Sequence, residues 1–300
     1  MRQYLVLFME KLYFPEEAKK LFLDINFLFE QNPNYYNEMN LITKKFYSDQ
    51  GHLQTNEILE KLNLLSQKVG IHSYKMHFLF YMYCSKLLLE NYKKSSISEE
   101  IFWNSMLDLR CKLFECYNIH SIWGTFVGSW FPRFYTMERF GIGRLQYEYA
   151  TFAYDNYTRC DFTIHKGDKV YNVHIPSSGP LTRDERMNSY RKAFEFYKNE
   201  LNGRPLVLVC NSWLLYPKNE VFFPKDSNII DFMHDFEIID STEQDIFTDA
   251  WRVFGKECCE PIEKLPVDTS LQRVYVNWLK EGNKTGNGYG VMLFDGECIL

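Results

Sequence analysis

The sequence predicts an α+β fold in two parts: an all-α N-terminal domain over residues 1–140 and a mixed α/β C-terminal domain over residues 141–300. Three observations predict it. From Met1 to about Tyr117 every legible segment carries its apolar residues at helical spacing. Between Asn118 and Gly143 the chain changes character and becomes rich in glycine and aromatics. From Lys169 to Cys210 it then spells a strand, a loop, a helix and a second strand, one β-α-β unit.

In the first part, Pro15 opens a helix whose face runs Ala18, Leu21, Phe22, Ile25 and Leu28, and Asn32-Pro33-Asn34 closes it. Thr55 to Val69 forms a second, with Gly70 past its end, and His72 to Tyr92 a longer third. Ser98 starts a fourth through Phe102, Met106, Leu109 and Leu113. The lysine-bearing segments at Thr43-Lys44-Lys45 and after Tyr92 suit solvated turns. His72 and His77 have no carboxylate or cysteine at ligand spacing, so they suit boundary or core histidines. The aromatics from Trp123 to Tyr135 suit a seam that packs two domains together or floors a cleft.

In the second part, Leu145 to Ala153 alternates as a strand, and Phe162 to Tyr171 suits a hairpin leading into the next strand. That strand, Lys169 to Ile175, stops at Pro176, and Thr182 with Glu185 forms a capping box for the helix behind it. Met187, Tyr190, Phe194, Tyr197 and Leu201 line the helix, and Asn202-Gly203 ends it. Leu206 to Cys210 is apolar throughout, a strand buried on both faces, extended by the following residues to Pro217. Further helices are expected near Pro224, over Asp245 to Phe254 and over Ser270 to Lys280, with strands at Phe236 to Asp240 and Gly286 to Asp295.

Composition excludes several functions. A net charge of −5 with scattered lysines and arginines repels a phosphate backbone, so no nucleic-acid partner is expected. The 8 cysteines include no Cys-x-x-Cys pair and the histidines do not cluster, which argues against a metal site or a disulfide framework. No run of about 18 apolar residues occurs, and the apolar opening before Glu10 is shorter than a signal segment. A reducing, cytoplasmic setting without membrane association is the expectation.

The loop between the strand and helix of the β-α-β unit presents N–H groups at the positive end of a helix dipole, which suits an anion. Ser177, Ser178 and Gly179 equally suit a plain corner. His174 to Thr182, Val209 to Leu215, Pro224 to Ile229 and Asp268 to Arg273 resemble a bacterial family of acyltransferases, over nearly the whole chain. That family joins a helical N-acyltransferase N-terminal domain to a C-terminal domain like the GNAT N-acyltransferases. The resemblance implies direct transfer of an acyl group from acyl-CoA or acetyl-CoA, as co-substrate, to a small-molecule amine in a ternary complex, without a metal. It also implies that Ser177, Ser178, Gly179, Leu181, Thr182 and Arg183 hold the pyrophosphate, and that the strands ending near Ile175 and Cys210 hold the pantetheine arm. The aromatic stretch would wall the acceptor pocket. Glu148 on its strand is the candidate general base and Tyr216, past the buried strand, the candidate acid for the leaving thiolate.

GNAT loops usually read Gln/Arg-x-x-Gly-x-Gly/Ala. This one has a single glycine and places Pro180, which has no N–H, in the cradle, while Asp184 and Glu185 add negative charge that Arg183 and Arg186 offset. Two alternatives follow from the residues. One is a catalytically inactive GNAT-like domain that binds a small acylated ligand or a protein partner. The other makes Cys210 the nucleophile of a hydrolase, with His174 on the neighbouring strand.

Overall fold

The computed structural model describes residues 1–48 and 55–300, which divide into two units, Met1–Gly141 and Ile142–Leu300. The first unit is helical, with α1 (Arg2–Lys11), α2 (Glu16–Gln31), α3 (Pro33–Ser48), α4 (Thr55–Val69), α5 (Ser73–Lys94), α6 (Glu99–His120) and the short α7 (Pro132–Tyr135). Its centre is α5, buried without a break from Met76 to Ser85. A helix that is aromatic and apolar on every side belongs in the middle of a bundle. The polar tips of its tyrosines are satisfied there: Tyr81 donates to the Gly128 carbonyl at 2.6 Å and Tyr83 to Asn26 Oδ1 at 2.7 Å.

His72 and His77 have structural roles. His72 caps α5 by accepting the Tyr74 N–H at 3.1 Å. His77 lies 2.9 Å from Asn63 Oδ1, and burial pushes it down to about 4. The lysine segment at Thr43-Lys44-Lys45 is not a turn but part of α3. Thr43 is buried, with its hydroxyl donating to the Met39 carbonyl four residues back, and Lys45 is ion-paired with Glu57. The lysines alone pointed to a turn because the stripe of Met39, Ile42 and Phe46 is interrupted by asparagines and tyrosines. Likewise α5 runs on through Lys93 and Lys94. The aromatics between Trp123 and Tyr135 pack on helices of their own unit: Trp123 stacks on Tyr117 at 3.8 Å, and Phe131 and Tyr135 lie 4.8 and 5.2 Å from Tyr81.

The chain leaves the first unit within β1 (Arg139–Ile142). The second unit contains β2 (Leu145–Thr151), β3 (Tyr157–Arg159), β4 (Phe162–Ile164), β5 (Lys169–His174), α8 (Arg183–Leu201) and β6 (Leu206–Ser212). After them come α9 (Asn219–Phe222), α10 (Asn228–Met233), β7 (Glu237–Gln244), α11 (Ala250–Phe254), α12 (Ser270–Lys280) and β8 (Thr285–Phe294). Its sheet runs β2-β5-β6-β8-β7. Only β5 and β6 are parallel, as a crossover through α8 requires. One face carries Tyr147, Tyr149 and Tyr171 under α8, with the Tyr147 hydroxyl 2.8 Å from Ser189 Oγ and the Tyr171 ring 4.0 Å from that of Tyr197. On the other face Val170, Val207, Val209, Val291 and Leu293 form a core with Tyr157 and Ile164.

Four local expectations are corrected. Phe162–Ile164 pairs backward with Tyr157–Arg159 as a separate two-stranded ribbon, not forward as a hairpin with β5. Its turn is Cys160-Asp161, both at positive φ, a turn without the glycine that would have announced it. Strand β6 stops at Ser212 and the chain turns sharply at Trp213–Leu215 to lie across β8. A Cβ on Gly288 would stand 1.9 Å from the Leu215 carbonyl oxygen, so only glycine admits that crossing. Asp245 to Asp249 is not helical, and α11 begins at Ala250. At α8 the expected capping box is not made: Thr182 donates its hydroxyl to the Glu185 carboxylate at 2.7 Å instead of accepting a backbone N–H. The reciprocal box does form at α12, between Thr269 and Gln272.

A buried ion pair fastens α8 to α10. Arg186 is fully buried and donates to Asp235 at 2.8 Å, to Asp231 at 2.8 Å and to the Leu181 carbonyl at 2.9 Å. Tyr190 adds its hydroxyl to Asp235 at 2.9 Å. Removing one partner of such a pair strands the other charge in a dry site. Asp235→Ala is therefore expected to destabilise the second unit by about 3–5 kcal/mol, read as a drop in the denaturation midpoint at unchanged slope. A loss under about 1 kcal/mol would mean the pair behaves like an exposed one.

Candidate active site

The parallel pair at the centre of the sheet parts early. Strands β5 and β6 are in register only at Tyr171 with Leu208 and Asn172 with Val209, although β5 continues to His174 and β6 to Ser212. Past Asn172 and Val209 each strand therefore has ladder groups facing the gap instead of each other. Ile175 follows directly on the β5 side, half-buried, and Cys210 on the β6 side, buried. Beyond Pro176 the loop Ser177-Ser178-Gly179-Pro180-Leu181-Thr182 leads into the N-terminus of α8. Ser177 and Gly179 are exposed, Ser178 and Thr182 half-buried, and Leu181 is buried. Gly179 has φ +111, a conformation that side-chain-bearing residues avoid.

Arginines around the loop are already engaged. Arg183 lies 3.1 Å from Asp231 while keeping most of its side chain in solvent. Arg186 offsets charge from beneath, since it is wholly buried in the Asp235 pair.

A carboxylate–imidazole pair stands on the face away from α8. The antiparallel register sets Glu148 opposite Asn172 and Gln146 opposite His174, so these four polar side chains share one face. His174 Nε2 is 2.9 Å from Glu148 Oε2, and Asn172 Nδ2 lies 3.4 Å from the same nitrogen. The side chain of Glu148 is 11% exposed and that of His174 19%. Such an imidazole is oriented by a buried carboxylate and still reachable at its edge, the arrangement of a base held by a third group. Glu148 was legible as a candidate, but its partnership with His174 was not. The signal needed was the pairing of β2 with β5, two strands separated by the whole β3–β4 ribbon.

Cys210 and His174 are not brought together. Val209 shares a face with Asn172 and His174, so Cys210 points to the opposite face, under α8. Burial pushes its thiol up to about 12, which leaves no thiolate for nucleophilic attack near neutral pH. The hydrolase expectation fails on both counts. Tyr216 also stands apart from Glu148. Its hydroxyl donates to Glu243 at 3.1 Å, and that carboxylate, on edge strand β7, also takes Lys218 at 2.6 Å. Strand β7 is two places beyond β6, roughly 10 Å across the sheet. Desolvation, followed by the bond to Glu243, raises the phenol above its ordinary range, so it is a weaker acid than a free tyrosine.

Among the described residues no group of three or more His, Cys, Asp or Glu is placed to hold a metal ion. No helix there is long and apolar enough to cross a membrane.

With these strands, loop and helix in place, the chain can be set beside known proteins. A family model for the GNAT-like C-terminal domain matches residues 140–292. A second, for the N-acyltransferase N-terminal domain, matches residues 3–137. The chain belongs to the GNAT-like acyltransferase family that these models describe. None of the curated proteins matches it in sequence. Among solved structures, an acyltransferase in complex with decanoyl-CoA and teicoplanin superposes with a TM-score of 0.71 at 19% identity, covering 95% of this chain and 86% of that one. An acyltransferase in complex with decanoyl-CoA gives 0.63 at 18% identity, over 96% of this chain and 98% of the other. Both halves of the family fold, the helical unit and the mixed sheet, are thus present in one chain with an acyltransferase fold.

Proposed function

We propose that the protein is an acyl-CoA-dependent N-acyltransferase that passes an acyl group directly to the amine of a small-molecule acceptor. The observation that carries this is the early parting of β5 and β6 beside the loop that opens α8. The gap offers backbone donors and acceptors to the amides of a pantetheine arm, lined at its mouth by Ile175 and Cys210. The loop from Ser177 to Thr182 offers N–H groups to the pyrophosphate, with Arg183 at its rim. Complexes of related folds with decanoyl-CoA, octanoyl-CoA and teicoplanin support an acyl-CoA donor and a small-molecule acceptor.

In this reading the acceptor nitrogen attacks the thioester carbonyl carbon, the C–S bond breaks, and an amide and coenzyme A leave. The proton lost by nitrogen goes to the Glu148–His174 pair, and the departing thiolate takes up one proton in return, so the pair ends as it began. Tyr216 has no part in that transfer. The rate should rise with pH until the amine and its base are deprotonated, and no acyl-enzyme should form on Cys210, whose buried thiol is held protonated.

The test is calorimetry with coenzyme A and decanoyl-CoA, followed by thiol release in the presence of amine acceptors and intact-mass measurement after mixing with donor. Binding, amine-dependent thiol release and an unmodified mass are expected, and Cys210→Ala should remain active. No binding at millimolar coenzyme A would sink the reading. Binding without turnover of any amine would favour the inactive, ligand-binding alternative, and an acylated Cys210 would return the cysteine chemistry.

A further inference from the structure

A loop with one glycine and two prolines cannot reach an N–H-outward conformation through backbone freedom, as glycine-rich phosphate loops do. Here side chains impose it. Arg144, at the foot of β2, donates Nη1 to the Pro176 carbonyl at 3.0 Å, Nη2 to the Gly179 carbonyl at 2.7 Å and Nε to the Pro180 carbonyl at 3.0 Å. A second guanidinium, Arg186, donates Nη1 to the Leu181 carbonyl at 2.9 Å. In a planar trans peptide the N–H points opposite to the carbonyl. The N–H groups of Ser177, Leu181 and Thr182 are thereby turned away from the guanidinium that holds each preceding carbonyl. The Gly179–Pro180 peptide has no N–H to give, so its carbonyl is the one polar group it could turn toward an anion. The shortest of the three Arg144 bonds is the one that removes it.

We propose that Arg144 is a positioning residue for the acyl-CoA pyrophosphate: it holds the carbonyls of Pro176, Gly179 and Pro180 back, so that a single-glycine loop can turn the N–H groups of Ser177 and Leu181 outward. This rests on the coenzyme A reading of the site. A surface staple would be the plainer role, but a staple needs no particular set of carbonyls, whereas these belong to three of the peptides that would otherwise confront the phosphates. Arginine suits the task because its donors are fixed in one plane and can serve three carbonyls at once, while a lysine ammonium is a flexible point charge.

The test compares two donors that share the acyl-pantetheine arm, of which only one carries the pyrophosphate and the 3′-phosphoadenosine beyond it. Dissociation constants for decanoyl-CoA and decanoyl-pantetheine are measured by calorimetry for the wild type, Arg144→Gln and Arg144→Lys, with thermal unfolding to confirm that each is folded. Both variants should bind decanoyl-CoA about 10- to 100-fold more weakly, the effect of misplacing one or two charge-assisted hydrogen bonds, with decanoyl-pantetheine unchanged. Equal weakening for both donors would make Arg144 a general support of the fold, and no weakening would remove it from binding; either overturns the proposal. Full binding by Arg144→Lys would assign the effect to charge instead of positioning. A wild type that binds the two donors equally would overturn the coenzyme A reading itself, a failure distinct from that of Arg144. Should Arg144→Gln not fold, Arg144→Lys carries the comparison.

Discussion

Replacing His174 by Gln, or Glu148 by Gln, is expected to lower kcat by about 10²- to 10⁴-fold, the usual contribution of a positioned proton acceptor, while leaving the dissociation constant of coenzyme A within about twofold. The two side chains are 2.9 Å apart on neighbouring strands and largely withdrawn from water, so neither substitution removes volume from the sheet. Glu148→Gln keeps a partner for the imidazole but takes away the charge that stabilises its protonated form, so the base becomes weaker. His174→Gln removes the titrating ring altogether. The double variant should be no slower than the worse single one, because the pair acts as a unit and its members' effects do not add. If each variant alone keeps the wild-type rate over a full pH profile, the pair is a buried polar contact and the base lies elsewhere. Tyr216→Phe provides the contrast: its hydroxyl is committed to Glu243 on the far edge strand, and its loss should leave kcat nearly unchanged.

The parts of this fold that were legible in the sequence are those decided by neighbours in the chain. The β-α-β unit followed from alternation, a proline stop and an Asn202-Gly203 end, and Asn202 does take the left-handed conformation that closes α8. The span of α12 was also legible, whereas the box that Gln272 closes with Thr269 at its start emerges only in the structure. What escaped was decided by distant partners. Strand β5 has β2 as its antiparallel neighbour across the excursion of the ribbon, and no local signal says so. The dyad, the opposite facing of Cys210 and the arginine-held loop all depend on that pairing, because β2 carries both Glu148 and the approach to Arg144. The ribbon is hidden in the sequence because Cys160 and Asp161 adopt positive φ without a glycine to mark their turn. Tyr216 was placed by continuing β6 as a strand. The fold instead turns at Trp213, where the glycines of β8 open room that sequence spacing alone does not reveal.

Gly179→Val is expected to abolish coenzyme A binding while the protein stays folded. A Cβ at this position would have no heavy atom within 4 Å, so nothing in the fold resists the side chain sterically. The obstacle is the backbone: φ is +111, and a β-branched residue there costs on the order of 1–3 kcal/mol or rotates out of it. Rotation swings the Gly179 carbonyl off Arg144 and turns the flanking peptides, so that a carbonyl faces the position proposed for the pyrophosphate. Because the loop is exposed, that relaxation is local and the melting temperature should move by only a few degrees. Affinity should nevertheless fall by at least about 100-fold, since donors are lost and an acceptor is set against an anion. Gly179→Ala should fall between the two, and Ser178→Ala, which leaves every backbone group in place, should weaken binding only slightly. Calorimetry on the three variants orders them: a valine variant that binds coenzyme A like the wild type would mean that the loop backbone is not what holds the phosphates.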